Sequence, residues 1–341
     1  MNRALACLVA AGLALCPVRA KTLAEAAESL AGGLPAGCIV TAEQTPAGTR
    51  FALAGTSPDA KQPPETLVFE IASLTKIFTG VLLAEAVIEK KVTLDDTLAQ
   101  RLGPGFKFAD ERVGRITLRQ LSTHTSGLPR MPDDFKDGFR GYAAYDDAQM
   151  LAWLAQAKLK AEGPYPCSYS NIGVGLLGYL VAKRYEKPWD ELVVDKVCLP
   201  LGLTHTQPSH RPPLGTLAPP FDGSKPAIVS VFRAFAPAGS LRSTAADMLK
   251  FGQALAHPER TPLAEPIRLA LQPHADSAAK GGKIGLGAFI AGAPGKPVYV
   301  HDGATAGYRS SIQVNPTQDT VRIVLLNNTT YEGSAVLKAM K

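Results

Sequence analysis

The sequence predicts an α+β fold: an antiparallel sheet flanked by helices and built from both chain ends, with a mostly helical segment inserted between them. Three observations carry this expectation. Short alternating or apolar runs cluster near the N-terminus and again near the C-terminus, while the middle of the chain repeats its apolar residues with helical period. Glycine and proline separate the runs, as turns require. In residue terms the sheet part is 21–80 with 225–341, the helical part is 81–224, and an active site is expected where they meet. A chain of 341 residues, 46% hydrophobic and 19% charged, is large enough to bury two lobes.

Taken in order, Arg3 precedes an apolar run from Ala4 to Leu15, and Val18-Arg19-Ala20 fits a small-residue cleavage site, so residues 1–20 read as a secretory signal peptide. Leu23 to Ala31 reads as a short helix. Cys38 to Ala42 and Arg50 to Leu53 read as a hairpin across Pro46-Ala47-Gly48, and strand character returns at Leu67 to Ile71. Helical segments follow at Ile71 to Ile88, Thr117 to Leu121, Ala144 to Ala157, Gly173 to Arg184 and Trp189 to Val197. The proline-rich stretch Pro208 to Pro226 reads as a long surface loop or a cleft wall. A helix is expected over Thr244 to Ala256, capped by Ser243 or Thr244 with Asp247 in its first turn. Consecutive antiparallel strands are expected at Gly285 to Ile290, Val298 to His301, Tyr308 to Val314 and Val321 to Asn327, then a closing helix from Gly333 to Met340.

Charge and cysteine content exclude several functions. The net charge of +6 falls to +4 once Arg3 and Arg19 leave with the signal, and no basic run interleaves with aromatics as a nucleic-acid surface does. No other apolar run is long enough to span a bilayer, so the mature chain is expected to be periplasmic without a membrane span. Cys38, Cys167 and Cys198 remain, allowing at most one internal disulfide whose pair the sequence does not choose. No zinc-like spacing of Cys or His occurs.

Chemistry is first suggested by Ser73-Leu74-Thr75-Lys76. The surrounding helix is apolar almost all round, which predicts burial, and a spacing of three places a lysine beside a serine one turn away. Burial lowers a lysine's pKa toward neutrality, and a neutral amine can take the proton of a neighbouring hydroxyl. The same four-letter pattern at Ser277-Ala278-Ala279-Lys280 runs into Gly281-Gly282 without an apolar helix and reads as a solvated loop. A second segment, Tyr169-Ser170-Asn171, precedes an apolar helix. Cations that lower a tyrosine's pKa make it a general base, and an asparagine offers a donor and an acceptor to a substrate amide; the alternative is a polar loop whose asparagine caps the helix. A third, His301-Asp302-Gly303-Ala304, follows the strand Val298-Tyr299-Val300, where glycine lets the backbone approach a ligand. A metal reading of His301-Asp302 lacks further ligands at fitting spacing.

In this order the three segments resemble the penicillin-recognising serine hydrolases: class C β-lactamases, DD-carboxypeptidases and related esterases. Ile116 to Pro129, Leu199 to Thr206 and Ala238 to Met248 match in kind and order as well, so the resemblance covers most of the mature chain. It implies the β-lactamase/DD-peptidase fold and an acyl-enzyme at Ser73, with Lys76 as proton acceptor or relay and Tyr169 sharing the acid and base work. Asn171 is then the amide binder, and His301, Gly303 and Ala304 belong to substrate binding. Backbone N–H groups of Ser73 and Ala304 form the oxyanion hole, aided by the helix N-terminus at Ser73. No metal or organic cofactor is implied, and the partner is a small molecule or peptidoglycan fragment. The departure from the family is His301, where close relatives carry lysine; a histidine is mostly neutral unless a neighbour such as Asp302 raises its pKa, so carboxylate recognition is expected to weaken. Arg309 is the replacement cation to consider. The implied activity is hydrolysis of β-lactam or D-Ala-D-Ala amide bonds; a carboxylesterase of the same family and a non-catalytic penicillin-binding domain are the alternatives.

Overall fold

The computed structural model describes residues 20–340; the signal-peptide reading lies outside them but for Ala20. Eight antiparallel strands form the main sheet, in the order Gly48–Gly55, Cys38–Thr45, Thr320–Leu326, Arg309–Asn315, Lys296–Ala304, Phe289–Ala293, Lys283–Ile284 and Ala275–Asp276. The N-terminal hairpin therefore completes a sheet that the C-terminal meander begins, with Val40 opposite Leu325 and Ala42 opposite Ile323. Period-two alternation explains how this sheet is buried on both faces. Val321, Ile323 and Leu325 join the main core, whereas Val324 and Leu326 pack under the terminal helices Leu23–Ala31 and Gly333–Lys338. This is the α+β arrangement expected.

Helices cover the inner face because their caps and apolar stripes fit it. Thr244 accepts a hydrogen bond from Asp247 N–H and starts the helix Ala245–Ala256, whose Phe251 stacks on Phe78 of the serine helix at 3.8 Å between ring centroids. The serine helix itself, Thr75–Ile88, follows a short 3₁₀ turn at Ala72–Leu74 and is buried along most of its length. Its partner Ala264–Leu271 is a helix the sequence concealed. Pro266 reads as a breaker, yet it sits in the first turn, where no intrahelical N–H is required.

One expectation is corrected, and two readings left open by the sequence are decided. The strand foreseen over Gly285 to Ile290 is interrupted, because Gly285–Ala288 turns away from Lys283–Ile284 to press its backbone on the serine helix before Phe289–Ala293 resumes. The stretch 208–226 is pinned across the sheet by Tyr308 Oη donating to Ala218 O and by Asn327 Nδ2 donating to Pro219 O, and it does not line the main cleft. Cys38, Cys167 and Cys198 are all free thiols. Among the described residues no helix is long and apolar enough to cross a membrane.

The contact between turn and serine helix generates a test of the packing. A Cβ on Gly80 meets Leu286 O at 1.6 Å, and one on Gly287, whose φ is +91°, meets Lys76 O at 2.2 Å. Helix propensity alone favours Gly80→Ala by about 1 kcal/mol. The clash reverses the sign, and we expect Gly80→Ala to lower unfolding free energy by about 3 kcal/mol in urea titrations. A stabilised variant would show that the helix does not press on this turn.

Candidate active site

The nucleophile region is assembled at a bend. Strand Val68–Glu70 leads through Ile71 into Ala72, whose φ of +50° is left-handed and costly for a residue with a side chain. The bend leaves Ser73 partly exposed and sinks Lys76, which is 1% exposed. Lys76 Nζ lies 3.1 Å from Ser73 Oγ and donates to Ala238 O at 2.6 Å. Burial, reinforced by the Arg130 guanidinium, holds this amine well below the ordinary lysine range. Neighbouring bonds fix the geometry: Thr79 Oγ1 donates to Pro237 O at 2.7 Å and Leu241 N–H donates to Thr75 Oγ1 at 3.1 Å. The second Ser-x-x-Lys pattern, at 277–280, is the turn joining two edge strands, with Lys280 in solvent.

Tyr169 faces this pair, with Lys76 Nζ 4.8 Å and the Arg130 guanidinium 4.9 Å from its ring centre. Enclosure raises its pKa despite the opposing pull of the Ser73 hydroxyl and Arg130, so the phenol stays protonated. The cation-lowered tyrosine expected from sequence is corrected on that ground: desolvation outweighs the cations. Ser170, and not Asn171, caps the helix Asn171–Tyr185 through the Gly173 N–H. Asn171 is thereby free to point its amide into the cleft, where Nδ2 approaches Tyr142 Oη and Met131 Sδ at 3.4 Å each and Oδ1 is buried without a partner.

The strand Lys296–Ala304 supplies the opposite wall. Gly303 is required by close approach, since a Cβ there meets Ser310 Oγ at 2.3 Å and Ile71 O at 2.6 Å. His301 is 4% exposed; Nδ1 lies 2.7 Å from Asp302 O, so it carries the proton, while Nε2 has no partner. Burial and Lys76 push this imidazole down to about 3, and Asp302 counters only through its backbone carbonyl because its side chain is exposed. The Asp302 side chain thus does not raise the His301 pKa, and the imidazole is neutral, the state the sequence leads one to expect in the absence of such a neighbour. Arg309 is not a substitute cation: its guanidinium donates to Thr305 O and Tyr308 O at 2.9 Å and pairs with Glu332 at 3.5 Å, outside the cleft lining.

Ser73, Tyr169, Asn171, His301, Gly303 and Ala304 all line one cleft of about 1060 Å³, with Lys76 beneath Ser73. A family model described as Beta-lactamase matches residues 47–340. The chain belongs to the beta-lactamase family. It is 32% identical over 145 residues to "D-alanyl-D-alanine-carboxypeptidase/endopeptidase AmpH" of Escherichia coli K12, covering 42% of this chain and 38% of that protein. It is 29% identical over 286 residues to "Penicillin-binding protein 4" of Amycolatopsis lactamdurans, covering 76% and 72%. The crystal structure of a class C beta lactamase from Rhodobacter sphaeroides superposes with a TM-score of 0.79 over 93% of this chain and 97% of that one, at 22% identity. That likeness establishes the fold.

Within this beta-lactamase-family fold, sequence reasoning missed three contributors. Arg130 follows the quoted segment by one residue and lies over Tyr169. His124 lies within that segment and is fully buried against the same ring. Met131, Phe135, Tyr142 and Phe232 form an apolar wall beside Asn171, hidden in sequence by the prolines, aspartates and glycines around them. His124 is also pushed down to about 3, chiefly by burial.

Two buried neutral imidazoles contribute to the acid behaviour of the protein. The folded state keeps both unprotonated where the unfolded chain, near its ordinary value of about 6.5, takes up protons. Their contribution is complete above that value and is lost as pH falls toward 3. We expect unfolding free energy to decline between about pH 6.5 and pH 4, and His301→Gln to decline less over the same interval. Equal declines would show that His301 is not held neutral.

Proposed function

We propose that the chain is a serine hydrolase that forms an acyl-enzyme at Ser73 and acts on β-lactam or D-Ala-D-Ala-type amide bonds. The observation that carries this reading is the depressed, buried amine of Lys76 at 3.1 Å from Ser73 Oγ. As Oγ attacks the acyl carbon, its proton passes to Lys76 Nζ, and the carbonyl electron pair moves to an oxyanion held by the backbone N–H groups of Ser73 and Ala304. Tyr169, protonated at rest, donates to the leaving nitrogen or oxygen as the tetrahedral centre collapses, the proton held by Lys76 then restores the phenol, and water releases the acyl group as its own proton returns to Ser73. Asn171 aligns the acyl amide. The names of the relatives support the substrate class, and the signal-like residues 1–20 support export to the periplasm. In this reading the cleft separates the sheet part, 21–80 with 225–341, from the helical part, 81–224.

One observation favours a second reading, a carboxylesterase with little amide activity. His301 offers an unpaired neutral acceptor where related enzymes place a lysine, so nothing at this position attracts the carboxylate of a penicillin or a D-Ala terminus. The substrate panel below separates the two.

Incubation with a penicillin followed by mass spectrometry is expected to give a covalent adduct on the peptide containing Ser73, absent in Ser73→Ala. No adduct on the wild type, together with no turnover of activated esters, would reject the hydrolase reading. The panel consists of a cephalosporin, a D-Ala-D-Ala peptide and a short activated ester. His301→Lys is expected to raise kcat/KM for the carboxylate-bearing members relative to the ester by about tenfold, the equivalent of one charge-assisted contact. An unchanged ratio would show that position 301 does not govern leaving-side recognition.

A further inference from the structure

His124 carries two costs that packing alone does not demand. Its φ of +59° is left-handed, and its fully buried ring leaves Nε2 without a partner. Such costs persist where the surrounding structure uses the residue for something specific. The use here is local to Tyr169. His124 O accepts from Ser168 N–H at 2.7 Å and His124 Nδ1 accepts from Ser170 N–H at 3.2 Å, so the residues on both sides of Tyr169 donate to one histidine. The imidazole also packs on the Tyr169 ring, 4.5 Å between centroids at 42°. Farther along the same loop, Pro129 O accepts from Ser170 Oγ at 2.7 Å and Arg130 O accepts from Asn171 N–H at 2.9 Å. Residues 124–130 are thus a template on which 168–171 is laid. Because an amide N–H points at Nδ1, the ring's single proton resides on Nε2.

We propose that His124 is a positioning residue of the reaction: through Nδ1 and its ring face it holds Tyr169 at the place from which proton transfer at Ser73 occurs, without touching substrate. The proposal rests on the reading of Tyr169 as the proton donor of an acyl-transfer reaction. It differs from a filling role in a way substitutions resolve. Asparagine carries an oxygen close to the place of Nδ1 and tolerates left-handed backbone, whereas phenylalanine keeps a ring and loses the acceptor.

The test compares wild type, His124→Asn and His124→Phe by amide hydrogen exchange of the peptide spanning 165–171, and by acylation kcat/KM on an activated ester, with Tyr169→Phe and the His124→Phe/Tyr169→Phe double variant. Exchange is expected to accelerate in the Phe variant and to stay near wild type in Asn. Acylation is expected to fall about 100-fold in Phe and only severalfold in Asn, and the Phe substitution is expected to add little once Tyr169 is already Phe. Should the Phe variant not fold, His124→Gln, which moves the acceptor outward, takes its place with the same expectations. Equal impairment of the acceptor-bearing and acceptor-lacking variants, unchanged exchange, or a full additional loss in the Tyr169→Phe background would overturn the proposal. A wild type that acylates with no ester or β-lactam would instead remove the hydrolase reading, and the exchange comparison would still decide whether the clamp exists.

Discussion

The structure depends on keeping one amine dry. In its proposed role as a base Lys76 works only while it is uncharged, and its surroundings withhold what a lysine ordinarily finds: water, and a carboxylate close enough to favour its charge. The contacts that exclude water come from several elements at once. The backbone of Gly285–Ala288 presses on the serine helix at Gly80 and at Lys76 O, while the turn at Ala236–Gly239 offers Ala238 O as the amine's fixed acceptor. Large stretches of the fold are thereby coupled to a single proton.

The same constraint orders the groups around it. His124 and His301 lie near Lys76 and are both held neutral, so neither competes for the proton nor repels a transient ammonium. Arg130 is a cation of the cleft lining, and by sitting over Tyr169 it helps to lower Lys76 without sharing its enclosure. Glu70, the buried carboxylate on the strand before Ser73, is engaged elsewhere: Oε1 accepts from Ser230 N–H at 2.6 Å, and its charge faces Arg242. A carboxylate directed at Lys76 instead would favour the ammonium and remove the base.

How much of this was legible in sequence follows from the range of each interaction. Ser73 and Lys76 are three residues apart where a 3₁₀ turn runs into an apolar helix, and local geometry alone brings them together. Tyr169, Asn171 and the His301 strand were found through their order along the chain, and each lines the cleft with Ser73. Sequence did not reveal what arises only after folding. The broken strand at Gly285–Ala288 reflects contact between two backbones, which leaves no compositional mark beyond glycines that many turns share. The sign of the Tyr169 shift depends on how deeply its hydroxyl is enclosed, which spacing does not report. Arg130 and His124 act by direct contact on a residue about forty positions away, so nothing adjacent in sequence marks them.

The histidine at 301 shows how one substitution redirects a site while the chemistry beneath it is kept. A lysine there would place an ammonium near Lys76 and favour the neutral form of that amine further. With His301 the only hydrogen-bonding atom left over is Nε2, an acceptor without its own donor. The polarity of the position is therefore inverted relative to a lysine, from a charged donor seeking an anion to a neutral acceptor seeking an N–H or O–H group. A substrate that supplies such a donor satisfies a buried atom that is otherwise left unpaired, whereas a carboxylate there faces a lone pair and has to be desolvated without compensation. Selection at this wall consequently rests on what the position refuses as much as on what it holds, and in the proposed reaction Ser73 is left to be acylated by whichever carbonyl the rest of the cleft delivers.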